Sequence, residues 1–410
     1  LEKLEGTNLH FDVNVEKEQK HLLEISPEDD KLINEFYEAI LTCAEYQFPM
    51  DRPFELLNLY DWSRIFFNNF PMMMLFGKYS KMSVEEFGNQ FKSPVLKKAF
   101  ASIWASKMSM TFFLIQLSYA HNGSAAYIIG GSGAFVDRLL KRYNNLGGKI
   151  HYHQRIEKIN TSDGRVKGIT NKRGKFYPAD YVVSACDGFT VIHKMIEKEY
   201  IDKHVFERFN ELETFPGLLF ISLGVKKEFP EIESSMLGLN IPLSEKIVAG
   251  NVEHERLNIQ IYNFDPTLAP KGSTLITGII DTDYTYWRNL YNESKELYHE
   301  AEEKVLNKLL MNLEKRFPGI KDELVFTDVA TPVTFENFTS NYLGSYEGWL
   351  PTPESAMKSL PSHFKKLKGF YMSGHWIHPG GGMPPAANTG RAAIQLICRD
   401  ERQEFLYDEY

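Results

Sequence analysis

Between Gly369 and Gly390 the chain carries no Lys, Arg, Asp or Glu, and the centre of that run is Gly374-His375-Trp376-Ile377-His378-Pro379-Gly380-Gly381-Gly382-Met383-Pro384-Pro385-Ala386. The residues before it, Phe370-Tyr371-Met372-Ser373, read as a buried strand, and Arg391 to Arg399 read as part of a helix. A strand must therefore end, and a helix begin, around three consecutive glycines. Glycine permits backbone conformations and close approaches that other residues refuse. Pro384 and Pro385 suit a first helical turn, where no amide hydrogen is needed. The free amides and dipole of that helix face whatever lies in the loop, and such an end favours electron-rich groups. On the residues alone, a purely structural glycine loop explains the run equally well.

A second glycine cluster is Gly130-Gly131-Ser132-Gly133-Ala134-Phe135-Val136. It follows Tyr127-Ile128-Ile129, read as a strand, and opens a helix with Phe135, Leu139, Leu140, Tyr143 and Leu146 at helical spacing. Gly147-Gly148 ends that helix. Val136 replaces the third glycine of a dinucleotide fingerprint, and no acid stands near Gln154 to take ribose hydroxyls, so a tight turn explains the cluster as well. A strand is expected over Lys149 to Ile159, a turn at Asp163-Gly164, short strands over Val166 to Thr170 and Lys175 to Tyr177, and a buried strand over Tyr181 to Ala185.

Residues up to about Ala120 show mostly helical patterning. Their most apolar part holds Phe66, Phe67, Phe70, Met72, Met73, Met74, Leu75 and Phe76, for which core packing is the expectation, ahead of a substrate-lining role shared with Phe112 to Leu117. Beyond Pro216 a β-rich stretch covers Leu218 to Val225, Leu257 to Phe264 and Ser273 to Ile280. A long amphipathic helix then places Leu297, Ala301, Val305, Leu309, Leu313 and Phe317 on one face. This alternation describes an α/β core with inserted lobes.

With 410 residues, two or three lobes are expected at roughly 100–200 residues each. A net charge of −8 disfavours a nucleic-acid binder. Aromatics at 13% suit a large core and equally a pocket for a long apolar substrate. Cys43, Cys186 and Cys398 are too scattered for a disulfide framework or a thiolate zinc site, so a reducing compartment, most simply cytoplasm, is expected. The uncharged stretch Met108 to Val136 is interrupted by Gln116, His121, Asn122 and glycines, and is not read as a membrane span. His375 with His378, and His151 with His153, lack the further ligands of an ordinary metal site; they read as solvated or hydrogen-bonded structural histidines, with no metal.

In its glycine loop the sequence resembles the phytoene desaturase-like group of flavoproteins, which includes carotenoid isomerases and retinol saturases. The resemblance rests on Gly130 to Ile159, Asp180 to Asp187 and Gly369 to Cys398, with weaker echoes at Asp265-Pro266 through Gly272 and at Thr331 to Thr334. It implies an α/β, two-domain flavoprotein: a Rossmann-like FAD/NAD(P)-binding domain, here lacking its first βαβ unit, plus an α+β substrate domain. The implied division is 1–125, a mostly helical substrate or lid region; 126–215, the middle part of the FAD-binding domain; 216–345, a substrate lobe; and 346–410, the C-terminal part of the FAD-binding domain.

FAD is the implied cofactor, with Ile156 against the adenine, Ala185 and Cys186 near the pyrophosphate, and Gly374, His375, Gly380, Gly381, Gly382 and Met383 along the ribityl chain and ring. The implied activity is hydride transfer between a carbon–carbon bond of an isoprenoid or polyene and flavin N5. Three glycines are expected to leave room for the planar ring. His375 departs from the acid or small residue usual after the strand's last glycine, and no acid–base residue stands out. The N-terminal strand–G-x-G-x-x-G–helix is missing, so the chain is expected to be a fragment of a longer protein. A flavin amine oxidase and a non-catalytic carrier of apolar molecules are the alternatives. The partners expected are an apolar small molecule and no nucleic acid, with peripheral membrane contact left open.

Overall fold

The computed structural model describes residues 1–46, 52–103 and 105–407. The N-terminal part is helical. Helix Asp30–Glu45 buries Ile33, Phe36, Tyr37, Ala39, Ile40 and Cys43, and packs on helix Met110–His121 with the rings of Phe36 and Phe113 stacked. These side chains form one large apolar cluster with Phe87, Phe91 and Phe100.

A helix over Gly131–Asn145 follows. Next come β1 (Ile156–Ser162), β2 (Arg165–Asn171) and β3 (Phe176–Pro178), an antiparallel three-stranded sheet, and then β4 (Val182–Ser184). The strands β5 (Gly217–Val225), β6 (Leu239–Ala249), β7 (Val252–Ile261), β8 (Thr274–Thr282) and β9 (Leu324–Ala330) make a five-stranded sheet in the order β6-β7-β8-β5-β9. Helix Lys295–Arg316 crosses it, capped by the Ser294 side chain accepting from the Leu297 amide. Val305, Leu309, Leu313 and Phe317 are buried as their spacing predicts, whereas Leu297 at the first turn is 42% exposed. Gly278 in β8 lets Leu309 sit close, since a Cβ there would be 3.4 Å from Leu309 Cδ1. Finally β10 (Phe370–Met372) pairs in parallel with β4, Phe370 opposite Val182 and Met372 opposite Ser184.

Two expectations fail. The apolar run near residue 70 is not mainly core: Met72 is buried, but Phe66 is 44%, Phe67 75% and Met74 63% exposed. Helix Leu59–Asn68, held by an Asn58–Asp61 capping box, buries no residue at all. Tyr127–Ile129 and Lys149–Arg155 join no sheet. A strand pattern becomes a strand only where a neighbour accepts its ladder of hydrogen bonds, and no described strand runs beside either segment. The helix between them likewise buries none of its residues, leaving Leu139 at 54% and Leu146 at 70% exposure.

Among the described residues no helix is long and apolar enough to cross a membrane. The β lobe should depend on its crossing helix. Leu309→Ala, at a 1% exposed position, is expected to cost about 2–5 kcal/mol of stability, read by chemical denaturation.

Candidate functional site

The parallel pair β4–β10 brings Ala185 and Cys186 beside Gly374 and His375. The ladder continues one residue past the strands, the Ser373 amide donating to the Ser184 carbonyl at 2.8 Å. A Cβ at Gly374, where φ is 101°, would stand 3.5 Å from the Ala185 carbonyl oxygen. The spacing there is an ordinary contact, and it is the positive φ of Gly374 that favours glycine. Ala185 and Cys186 are exposed, so this junction is open at its rim.

The loop that leaves Gly374 is anchored by buried Trp376 and Ile377. The Trp376 indole donates to Asn341 Oδ1 at 3.1 Å, and the Trp349 indole donates to the Trp376 carbonyl at 3.0 Å. The Gly380 amide donates to the Trp349 carbonyl at 2.9 Å. Gly380, Gly381 and Gly382 all have positive φ, at 106°, 55° and 87°, a region that side chains rarely enter. Helix Met383–Asp400 starts immediately after, with Gly382 at its N-cap, no side-chain cap, and prolines in its first turn. Thr389 on this helix accepts the Gly374 amide at 2.8 Å, tying the helix to the strand end.

The glycines are used differently from the expectation. A Cβ at Gly380 would lie 2.3 Å from Phe112 Cζ, and one at Gly381 would lie 2.2 Å from the Glu347 carbonyl oxygen. Those two glycines serve the protein's own packing, so a branched side chain at Gly381 would disturb the loop itself. Gly374 and Gly382 keep ordinary spacing to their neighbours, the nearest atom to a Gly382 Cβ being Glu347 Oε1 at 3.4 Å. Met383 beside Gly382 is exposed, and His375 beside Gly374 is half-buried. Ile156 is elsewhere, opening β1 opposite Asn171.

The ionisable groups here are short of partners. The His375 Nε2 is buried without a hydrogen bond, and burial lowers its pKa against the pull of the Asp187 carboxylate. Burial also lowers His378, against Glu55. His375 thus lacks at Nε2 the hydrogen bond expected of it. Glu347, which sequence reasoning missed, is pushed up to about 7 by burial. No motif surrounds it, and only the fold brings it under the glycine loop. A cradle of positive-φ glycines and an uncapped helix N-terminus fits a flat, electron-rich group such as a flavin.

A second missed residue is Asp265, 1% exposed. It accepts from the Gly130 amide at 2.8 Å, the Tyr127 hydroxyl at 2.9 Å, and the Thr267 amide and hydroxyl at 3.0 and 2.6 Å. Burial would raise its pKa. The hydrogen bonds from Thr267, Gly130 and Tyr127 prevail and hold it at about 2. This carboxylate fastens the first glycine turn to the β lobe and gives the Asp265–Gly272 echo a physical role.

A family model described as flavin containing amine oxidoreductase matches residues 67–398. Prolycopene isomerase 2 of an Oncidium hybrid cultivar is 27% identical over 294 residues, which is 68% of this chain and 47% of that protein. The lycopene-forming phytoene desaturase of Pseudescherichia vulneris is 22% identical over 279 residues, 66% of this chain and 56% of that one. The chain thus spans about half the length of these curated relatives. A redesigned putrescine oxidase superposes with a TM-score of 0.55 at 12% identity, covering 96% of this chain and 78% of its own. Cyclohexylamine oxidase from Brevibacterium oxydans gives 0.51 at 10% identity, covering 92% and 76%. The likeness to these structures is one of fold, the two-domain architecture of flavin oxidoreductases.

Asp265→Asn should remove about 1–3 kcal/mol of stability, the cost of disturbing a buried hydrogen-bonded group. The sign with pH follows from a folded-state pKa held below the ordinary 3.8. The stabilisation is present above about 4 and is lost as pH falls through about 2. Denaturation midpoints measured across that window should fall more steeply for the wild type than for the variant.

Proposed function

The chain belongs to the flavin-containing amine oxidoreductase family, and within it we propose an FAD-dependent enzyme that moves hydride between a carbon–carbon bond of an apolar, isoprenoid- or polyene-like substrate and the flavin. The observation that carries this reading is the uncharged glycine loop that joins a parallel strand end to an uncapped helix N-terminus. FAD supplies the two-electron chemistry when bound, and the chain orients it and keeps water away.

In this reading Gly374, His375, Gly382 and Met383 lie along the ring and ribityl chain, with Gly380 and Gly381 shaping the loop from behind. Ala185 and Cys186 approach the pyrophosphate, and Ile156 lies on the adenine side. A polyene-type substrate is supported by the named activities of the relatives, an isomerase of prolycopene and a desaturase of phytoene.

The exposed aromatic and Met side chains of helices Leu59–Asn68 and Phe70–Tyr79 offer an apolar approach for such a substrate, or a resting surface on a membrane. Helix Met110–His121, whose Phe112 touches the glycine loop, links that surface to the site.

The test is the visible spectrum of the full-length protein, followed by anaerobic mixing with an acyclic polyene. A flavin band bleached by the polyene supports the reading. No flavin supports the apolar carrier instead, and bleaching by primary amines alone supports an amine oxidase. Phe67→Asp and Met74→Asp, at exposed positions, should leave stability within about 0.5 kcal/mol while raising the polyene KM severalfold. Phe113→Asp, at 8% exposure, should unfold the helical region, as circular dichroism would show.

A further inference from the structure

We infer that Glu347 is the proton-exchanging carboxyl of this site, a role that rests on the proposed function and deepens it. Forming a carbon–carbon double bond breaks two C–H bonds. One hydrogen leaves as hydride, with its electron pair, to the oxidised flavin. The electron pair of the other C–H bond stays behind as the new π bond, and its hydrogen leaves as a proton. That proton goes to the Glu347 carboxylate as a new O–H bond, and it returns to carbon when the bond is saturated in the reverse direction.

The placement argues for this residue. Its backbone carbonyl and Cγ meet Gly381, and its Oε1 is the nearest atom to the side-chain direction of Gly382, the N-cap of helix Met383–Asp400. The side chain therefore lies at the strand–helix junction where the ring is proposed to sit. The segment Glu213–Phe215, hydrogen-bonded to Gly348 and Leu350, brings Glu213, whose carboxylate pairs with Lys107 at 3.6 Å. The β10 loop presents His375, packed on Gly348 with 2.9 Å from its Cδ2 to a Cβ there. Asp187 faces His375 and Glu55 faces His378. Helix Met110–His121 presents Phe112, and helix Met383–Asp400 presents its proline turn.

Among the described residues no cation pairs with Glu347 and no side-chain hydrogen bond holds it. Burial alone then leaves it near pH 7, where a carboxyl both gives and takes a proton. Both histidines are kept neutral by burial, so neither is a proton donor at neutral pH.

The experiment uses the full-length, flavin-loaded protein. Glu347→Gln should keep its flavin content but slow flavin bleaching by an acyclic polyene by about 10²–10⁴-fold. It should also abolish the rise of that rate with pH through about 7. Glu347→Asp should recover part of both. Infrared difference spectra of the wild type, which need no variant to fold, should show a protonated carboxyl disappearing near pH 7 and absent from Glu347→Gln. An unchanged rate and pH profile in a flavin-loaded Glu347→Gln overturns this role alone, as does a wild type whose carboxyls all titrate in the ordinary acid range. A full-length protein that binds no flavin overturns the proposed function and this role with it.

Discussion

Two strands of three residues each, β4 and β10, hold together parts of the chain separated by the whole β lobe. A parallel pair cannot be closed by a hairpin and always needs a crossover. Here the crossover is a folded lobe with its own sheet and crossing helix. The consequence is that both strand C-termini open on the same side, Ala185 beside Gly374. Everything proposed for the site follows from that juxtaposition: the loop leaves one strand end, the helix returns to it, and Thr389 fastens the two.

Packing and ligand binding compete for the same glycines. Gly380 and Gly381 are pressed against Phe112 and Glu347, and their lack of a side chain is needed before any ligand is considered. Gly374 and Gly382 keep ordinary spacing, and in the proposed reading they face the flavin ring. The loop has one side committed to the core, through Trp376, Ile377 and Phe112, and in the proposed reading its other side meets the ring. That division places Glu347, carried in by the segment just before Trp349, at the boundary between them. The Asp265 carboxylate works on a different seam, binding the Gly130 turn to the β lobe through four hydrogen bonds.

Much of this was legible in the sequence where a local pattern meets a local cause. The glycine loop, the proline-started helix and the face of helix Lys295–Arg316 are set by residues close in the chain. The fold's identity was legible through three patches in order. What escaped depends on distance or on neighbours. Asp265 meets Gly130 across 135 residues, with no spacing to reveal it. Glu347 stands in no motif. Tyr127–Ile129 and Lys149–Arg155 carry strand patterns, yet a ladder needs a second strand. The Phe66–Phe76 run has the composition of a core, but helix Leu59–Asn68 buries none of its residues and helix Phe70–Tyr79 buries only Met72 and Tyr79.

The central claim is that the loop from Gly374 to Met383 and the first turn of the helix behind it cradle the flavin. Hydrogen–deuterium exchange of the full-length protein, compared with and without FAD, tests this most directly, because the claim concerns backbone amides. FAD is expected to slow exchange at Gly374, His375, Gly382 and Met383, and at Ala185 and Cys186 across the strand pair. Unchanged exchange at these amides, with protection appearing elsewhere in the chain, would contradict it.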